Sequence, residues 1–156
     1  MIKIKTSQNA DSRTATKKVT KEELLEQSKQ HIADVGKAMQ WMGVRLLVVS
    51  MFHDQTKLSD IDEFYKDFAE TQNGDMTNFK TKHWFKDLHL QERHHLTDRC
   101  PEDVNLFDVM ERIADIVMAG MARSGKVYDD ALDPAILEKA YKNTIALLKN
   151  EIEVEK

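Results

Sequence analysis

Seven histidine and aspartate side chains of the sequence are candidate ligands of divalent metal ions, and they are spread over most of the chain. They are His31, His53, Asp54, His89, His94, His95 and Asp115. Imidazole and carboxylate groups together suit borderline ions such as Zn, Fe, Mn, Co or Ni. None of the seven is a cysteine, which disfavours a structural zinc site of the thiolate type. We therefore predict one or two divalent transition metal ions as cofactors.

His53 and Asp54 are adjacent and directly follow an apolar run, Leu46–Phe52. The run predicts a core segment, so the pair is expected at the edge of the core. A neighbouring histidine and aspartate can face one ion only if the helix ends or the backbone turns there. Seven ligands exceed the needs of one tetrahedral ion. Two ions bridged by Asp54 would use them, and such a pair can activate a water and neutralise a phosphoryl group.

Other roles stay open for three of the residues near this motif. His31 alone, on an apolar helical stripe, would more often be a hydrogen-bonded core residue than a ligand, and its downstream partners change that balance. Asp54 could cap the following turn instead of binding metal, although we favour the ligand. Lys57 could be either a substrate contact or a solvated surface residue.

Asp115 and Asp108 compete for the role of the last carboxylate ligand. Asp115 lies within an apolar helical face, where an unpaired carboxylate is costly. Asp108 fits as the third residue of a capping box that begins at Asn105. We therefore favour Asp115 as the ligand.

Composition favours a helical protein and excludes several classes. The 156 residues include 5 glycines and 2 prolines, and 32% are charged with a net charge of −4. The protein has no excess of positive charge, so nucleic acid is not an expected partner. The single cysteine, Cys100, fits a reducing compartment, and no apolar run approaches the ~20 residues of a membrane span. We expect a cytoplasmic protein that does not enter the membrane.

The periodic segments predict an all-α, single-domain bundle of about five to six helices. Helices are predicted over residues 20–43, 44–53, 59–71, 105–125 and 133–150, with a bend at Gly43, a turn at 73–75 and a short helix or ordered loop at 79–88. The predicted inward face of the long helix is Leu106, Val109, Met110, Ile113, Ile116, Val117, Gly120 and Met121. Residues 1–19 are expected to form a flexible arm, 20–150 the domain, and 151–156 a frayed tail without strands.

The order of the candidate ligands resembles that of the HD-domain metal-dependent phosphohydrolase superfamily. His53-Asp54-Gln55-Thr56-Lys57 is similar to its His-Asp-x-x-Lys motif, and the segment around Asp115 is similar to the helix with its final aspartate. The intervening histidines resemble the two-metal branch of HD-GYP phosphodiesterases, although the Gly-Tyr-Pro element is absent. The spacing of the histidines from 89 to 95, with residues 118–125, is closer still to a small uncharacterised HD-like family of phage and bacteria.

The resemblance implies a helical bundle of the HD-domain type and a role for each candidate residue. It implies a core metal set of His31, His53, Asp54 and Asp115, with His89 and one or both of His94 and His95 on a second ion. Asp54 and Lys57 would be catalytic, with Glu92 or Asp98 moving protons. The substrate-binding candidates are Lys57, Arg93, His95, Arg123 and Lys126.

The leading functional hypothesis is a phosphohydrolase that uses metal-activated water on a small phosphorylated molecule, with a nucleotide as the first candidate. One alternative is an HD-type diiron oxygenase, which uses a similar ligand set with O₂. Another is a non-catalytic, metal-containing module that binds a nucleotide or a partner. The oligomeric state stays open, with a homodimer as one option.

Overall fold

A computed structural model of the chain describes residues 1–9, 17–71 and 76–155. Its elements are β1 (Ile2–Lys5), α1 (Lys21–Phe52), α2 (Thr56–Ser59), α3 (Ile61–Ala69), α4 (Met76–Phe79), α5 (Leu106–Ser124), α6 (Pro134–Asn150) and β2 (Ile152–Glu155). A π-helical turn, Trp84–Leu88, and a 3₁₀ turn, His89–Gln91, lie between α4 and α5. The predicted all-α class is confirmed. The turn predicted at 73–75 lies outside the described residues.

The chain divides into two compact units. The first comprises Met1–Leu46 and Ile145–Lys156, and the second comprises Leu47–Thr144. All the candidate ligands except His31 belong to the second unit. The assignment of residues 20–150 to one domain stays a prediction, because compactness alone does not establish which segments fold independently.

The two ends of the chain form a small parallel sheet in the first unit. Strand β1 pairs with β2 in the register Ile2↔Ile152, and Ile2 is buried. Lys3 Nζ lies 3.8 Å from the Glu153 carboxylate and 3.5 Å from that of Glu155. The expectation that the chain contains no strands is therefore wrong for these residues, while the flexible arm and the frayed tail stay predictions. Both segments alternate apolar and charged residues, which suits a strand with one covered face.

Helix α1 is one continuous helix through Gly43, so the predicted bend is wrong. Its capping box is confirmed: Glu23 N–H donates to Thr20 Oγ1 at 3.2 Å, and Thr20 N–H donates to Glu23 Oε2 at 3.0 Å. The run ending at Phe52 is not a core segment, since no residue of α1 is buried and Met51 and Phe52 are exposed. The run is apolar on all sides of the helix, and one contact face cannot cover it all.

The core of the second unit has an aliphatic part and an aromatic part. The aliphatic part consists of Leu96, Val104, Val109 and Ala140, with Leu106, Leu132 and Ile136 packed against it. In the aromatic part Trp84 stacks on Phe64 with ring centroids 4.1 Å apart, and on His89 at 4.6 Å. The backbone N–H of Trp84 donates to the buried Asp67 carboxylate at 2.8 Å. The aromatic cluster thus fixes one face of the His89 ring.

Helix α5 begins and ends as predicted. Asn105 and Asp108 form the capping box, and Gly125 ends the helix with a left-handed φ of 70°. The predicted start of α6 is also confirmed, since Ala135 N–H donates to the Asp133 carboxylate at 2.8 Å and Pro134 takes the first helical position.

The predicted inward face of α5 is only partly correct. Val109 and Gly120 are buried, but Met110, Ile113 and Met121 are exposed. The helix turns Asp108 and other charged side chains inward instead, because these groups find ion-pair and hydrogen-bond partners in the second unit. That inward polar face contributes directly to the candidate site.

In the part of the chain that the structure describes, every helix is too short or too polar to cross a bilayer.

Candidate metal centre

The backbone turn at Asp54 brings two adjacent side chains to one site. Helix α1 ends at Phe52, and Asp54 adopts a left-handed φ of 55°. Aspartate tolerates this conformation better than most residues other than glycine. The turn places His53 Nε2 3.4 Å from Asp54 Oδ2, which the uninterrupted helix could not do. The helix end that the His-Asp adjacency requires is therefore present.

The two oxygens of the Asp54 carboxylate have different surroundings. Oδ2 accepts a hydrogen bond from the Lys57 ammonium. Oδ1 is buried without a hydrogen-bond partner, 3.6 Å from His94 Nε2 and 3.8 Å from His89 Nε2. Burial alone would raise the pKa of Asp54, but the Lys57 ammonium together with the neighbouring His53 and His89 lowers it. The group is an ionised carboxylate with one unsatisfied oxygen facing two imidazoles.

His89 and His95 form a closely spaced imidazole pair. Their Nε2 atoms lie 3.0 Å apart, and His89 Nδ1 lies 2.9 Å from the Thr56 hydroxyl. Burial, with the neighbouring His95, lowers the pKa of His89 to about 3. Burial, with the neighbouring His94, lowers the pKa of His95 to about 4. Both rings are therefore neutral at ordinary pH, which is the protonation state that binds metals.

Helix α5 contributes two carboxylates, of which Asp115 was predicted and Glu111 was not. Asp115 Oδ1 lies 3.8 Å from His53 Nε2. Glu111 Oε1 lies 2.9 Å from His53 Nδ1 and 3.1 Å from His94 Nδ1. Burial disfavours the charged form of both groups, but their contact outweighs it. The Glu111 carboxylate raises the pKa of His94, and the imidazoles of His94 and His53 lower the pKa of Glu111. The sequence offered one signal that Glu111 belongs to the site: it lies four residues before Asp115 on the same helical face.

Three groups of side chains among the described residues could hold a metal ion. They are His53, His94 and Glu111; Asp54, His94 and His95; and His53, Asp54 and Asp115. Two ligand atoms that bind one ion tetrahedrally at roughly 2.1 Å lie about 3.4 Å apart. The contacts of 3.4 to 3.8 Å around Asp54 fit this spacing.

We call the residues His53, Asp54, His94 and Asp115 the Asp54 centre. A divalent cation there would satisfy the buried Asp54 Oδ1, which has no hydrogen-bond partner. The residues present therefore fit a metal ion.

The remaining candidates for metal or substrate binding include residues that belong to none of these three groups. His31 is an exposed residue of the first unit and belongs to none of the three groups. Lys57 is held against Asp54. Arg123 and Lys126 are exposed near the end of α5. Roles for His31, Arg123 and Lys126 stay predictions.

Arg93, Glu92 and Asp98 are tied to neighbouring residues. The Arg93 guanidinium donates to both carboxylate oxygens of Asp108, at 2.7 and 2.9 Å, and to Asp103 at 3.0 Å. These contacts hold Arg93 at the start of α5, and its predicted substrate contact stays a prediction. Glu92 Oε1 accepts a hydrogen bond from Thr56 N–H at 3.0 Å, next to Lys57. Asp98 is exposed, 4.0 Å from Lys80.

No family model, curated protein or solved structure matches this chain. Membership of the HD-domain superfamily therefore stays a prediction from the sequence motifs.

Proposed function

We propose that the protein is a metal-dependent phosphohydrolase of the HD-domain type that acts on a small phosphorylated molecule. The observation that carries the proposal is the buried, unpartnered Asp54 Oδ1, which faces the Nε2 atoms of His89 and His94. A buried anionic oxygen surrounded by imidazole nitrogens matches the requirement of a divalent cation. The order of these ligands in the sequence supports the choice of phosphoester hydrolysis.

The residues divide into a first ligand set and a further imidazole pair. The Asp54 centre would hold one ion, and His89 with His95 would contribute to a second, with Asp54 between the two. When bound, such ions polarise a phosphoryl oxygen and lower the pKa of water. Because His89 and His95 are neutral, each ring has one unprotonated nitrogen that can bind a metal ion without the ring first losing a proton.

Lys57 and Glu92 would assist at the edge of the centre. The Lys57 side chain is about one third exposed, so its ammonium can contact both Asp54 and a phosphate oxygen that arrives from solvent. Its positive charge would stabilise the negative charge that develops on the phosphoryl group. Glu92 is fixed to the backbone of the same turn through Thr56, and we assign it to proton transfer.

A phosphate-release screen tests this function. Metal-stripped protein would be reloaded separately with Zn, Mn, Fe, Co and Ni, and then assayed on nucleotides and simple phosphate esters. We expect metal-dependent release in the wild type and its loss in His53→Ala. The matched control is His83→Ala, which changes an exposed histidine that contacts Asp87.

Three outcomes would contradict the proposal. Full turnover in His53→Ala would remove the Asp54 centre from the reaction. Turnover that requires iron and O₂ would favour the oxygenase, and tight metal binding without any phosphate release would favour the non-catalytic module.

A further inference from the structure

Glu111 contacts two candidate ligands with a single oxygen atom. Its Oε1 lies at hydrogen-bond distance from His53 Nδ1, 2.9 Å, and from His94 Nδ1, 3.1 Å. The Glu111 side chain is largely buried, at 11% exposure. An ionised carboxylate can only accept hydrogen bonds, so both imidazoles must donate through Nδ1–H. Each neutral ring then carries its lone pair on Nε2.

Both Nε2 atoms face the Asp54 carboxylate. His53 Nε2 lies 3.4 Å from Asp54 Oδ2, and His94 Nε2 lies 3.6 Å from Asp54 Oδ1. These separations are longer than ordinary hydrogen bonds and match two ligands of one ion, whereas the contacts to Glu111 have hydrogen-bond lengths. An ion placed instead between Glu111 and the Nδ1 atoms would leave the buried Asp54 Oδ1 without a partner. The geometry therefore favours Glu111 as a hydrogen-bond acceptor behind the ligands over Glu111 as a ligand.

The two histidines need such a tether because neither lies in a regular helix. His53 follows the last residue of α1, and His94 lies in the segment between the 3₁₀ turn and α5. Glu111 belongs to α5, whose first turn is fixed by the capping box. The same helix also holds the His94 backbone, since Arg112 donates to the His94 carbonyl at 3.3 Å. Helix α5 thus fixes His94 through its ring and its backbone, and His53 through its ring.

We propose that Glu111 is the positioning residue of the metal centre: its carboxylate holds His53 and His94 in the tautomer that presents Nε2 to the ion, without binding the ion itself. The inference rests on the proposed metal centre and extends it to a residue outside the ligand set. Hydrogen-bond partners of metal-bound histidines contribute about 10–100-fold to metal affinity. Because Glu111 serves two ligands at once, its removal disturbs both.

The first test reads the tautomers directly in the metal-free wild type. Long-range ¹⁵N–¹H correlation spectra distinguish Nδ1–H from Nε2–H imidazoles. We expect the Nδ1–H form for His53 and His94, with assignments from His53→Gln and His94→Gln. Nε2–H tautomers at both residues would overturn the proposal without requiring any variant of Glu111.

The second test compares Glu111→Gln and Glu111→Ala with Glu138→Gln, which changes an exposed glutamate that pairs with Lys142. Zinc affinity would be measured by chelator competition, and cobalt absorption would report the ligand set. We expect about 10–100-fold weaker zinc binding in both Glu111 variants, with unchanged stoichiometry and an unchanged cobalt spectrum at saturation. Glu138→Gln should match the wild type.

The outcomes separate this inference from the proposed function. A changed cobalt spectrum or a lost equivalent of metal would make Glu111 a ligand, and wild-type affinity in both variants would remove its role. A wild type that binds no metal would overturn the centre and the inference together. Normal metal binding without phosphate release would contradict the proposed function alone.

Discussion

Replacing Asp54 by asparagine should abolish tight metal binding and leave the fold almost intact. Asparagine adopts the left-handed conformation at this position as readily as aspartate, so the backbone turn is preserved. Loss of a hydrogen-bond partner behind a ligand costs about 10–100-fold in metal affinity, so loss of this charged ligand should cost at least about 100-fold. That factor corresponds to about 2.7 kcal/mol of binding free energy.

The stability of the metal-free protein should change much less. The variant loses the ion pair with Lys57, whose side chain is about one third exposed and can turn to water. A solvent-screened pair of this kind contributes about 1 kcal/mol at most. A loss of that size lowers the melting temperature by roughly 2–4 °C in a chain of this length. Zinc competition titration and thermal melting of the metal-free protein measure the two effects separately.

Two further variants provide the controls. Asp54→Gly keeps the left-handed turn without any ligand atom, so it should lose zinc as Asp54→Asn does. Asp62→Asn makes the same chemical change at an exposed position of α3 and should retain wild-type affinity. The reasoning fails if Asp54→Asn binds zinc within about threefold of the wild type, a difference of less than 1 kcal/mol.

Three more substitutions test other parts of the structure. Asp115→Asn should weaken zinc binding by about 10-fold or more with little change in melting temperature, because Asp115 belongs to the Asp54 centre and its side chain is about one third exposed. Asp108→Asn should show the opposite pattern: bound metal is retained, but the free energy of unfolding falls by about 1–2 kcal/mol in denaturant titration, because the ion pair with the partly exposed Arg93 and the capping box are both weakened. Metal loss in Asp108→Asn with retention in Asp115→Asn would reverse the ligand assignment. Gly120→Ala should cost about 1–3 kcal/mol of stability with metal retained, since the added Cβ would meet Lys126 O at 2.5 Å; an unchanged denaturation midpoint would contradict the close approach.

The sequence predicted the features that have local chemical signatures. Asn105, Gly125 and the Asp133-Pro134 pair mark helix ends through their own hydrogen bonds and backbone preferences, and the structure has those ends. The adjacency of His53 and Asp54 likewise required a helix end, because an unbroken helix would direct the two side chains about 100° apart. These features depend on a few neighbouring residues, so the sequence alone could indicate them.

Features set by distant partners were predicted poorly. The apolar stripe of α5 indicated an inward face, but Met110 and Ile113 are exposed, while Glu111 turns inward to two imidazoles that lie 17 and 58 residues away. The only signal in the sequence was that Glu111 lies four residues before Asp115 on the same helical face, and this spacing alone does not identify its two imidazole partners. The pairing of β1 with β2 joins opposite ends of the chain and was missed for the same reason.

The central claim is that the Asp54 centre binds a divalent ion, and anomalous diffraction from crystals soaked in a zinc or manganese salt tests it most directly. We predict an anomalous peak within roughly 2.0–2.2 Å of an Asp54 carboxylate oxygen and of His94 Nε2. His53 Nε2 should be a further ligand of the ion, and Glu111 should lie outside bonding distance. Ions found only at other positions, or an Asp54 carboxylate that remains without a metal in crystals of metal-saturated protein, would contradict the claim.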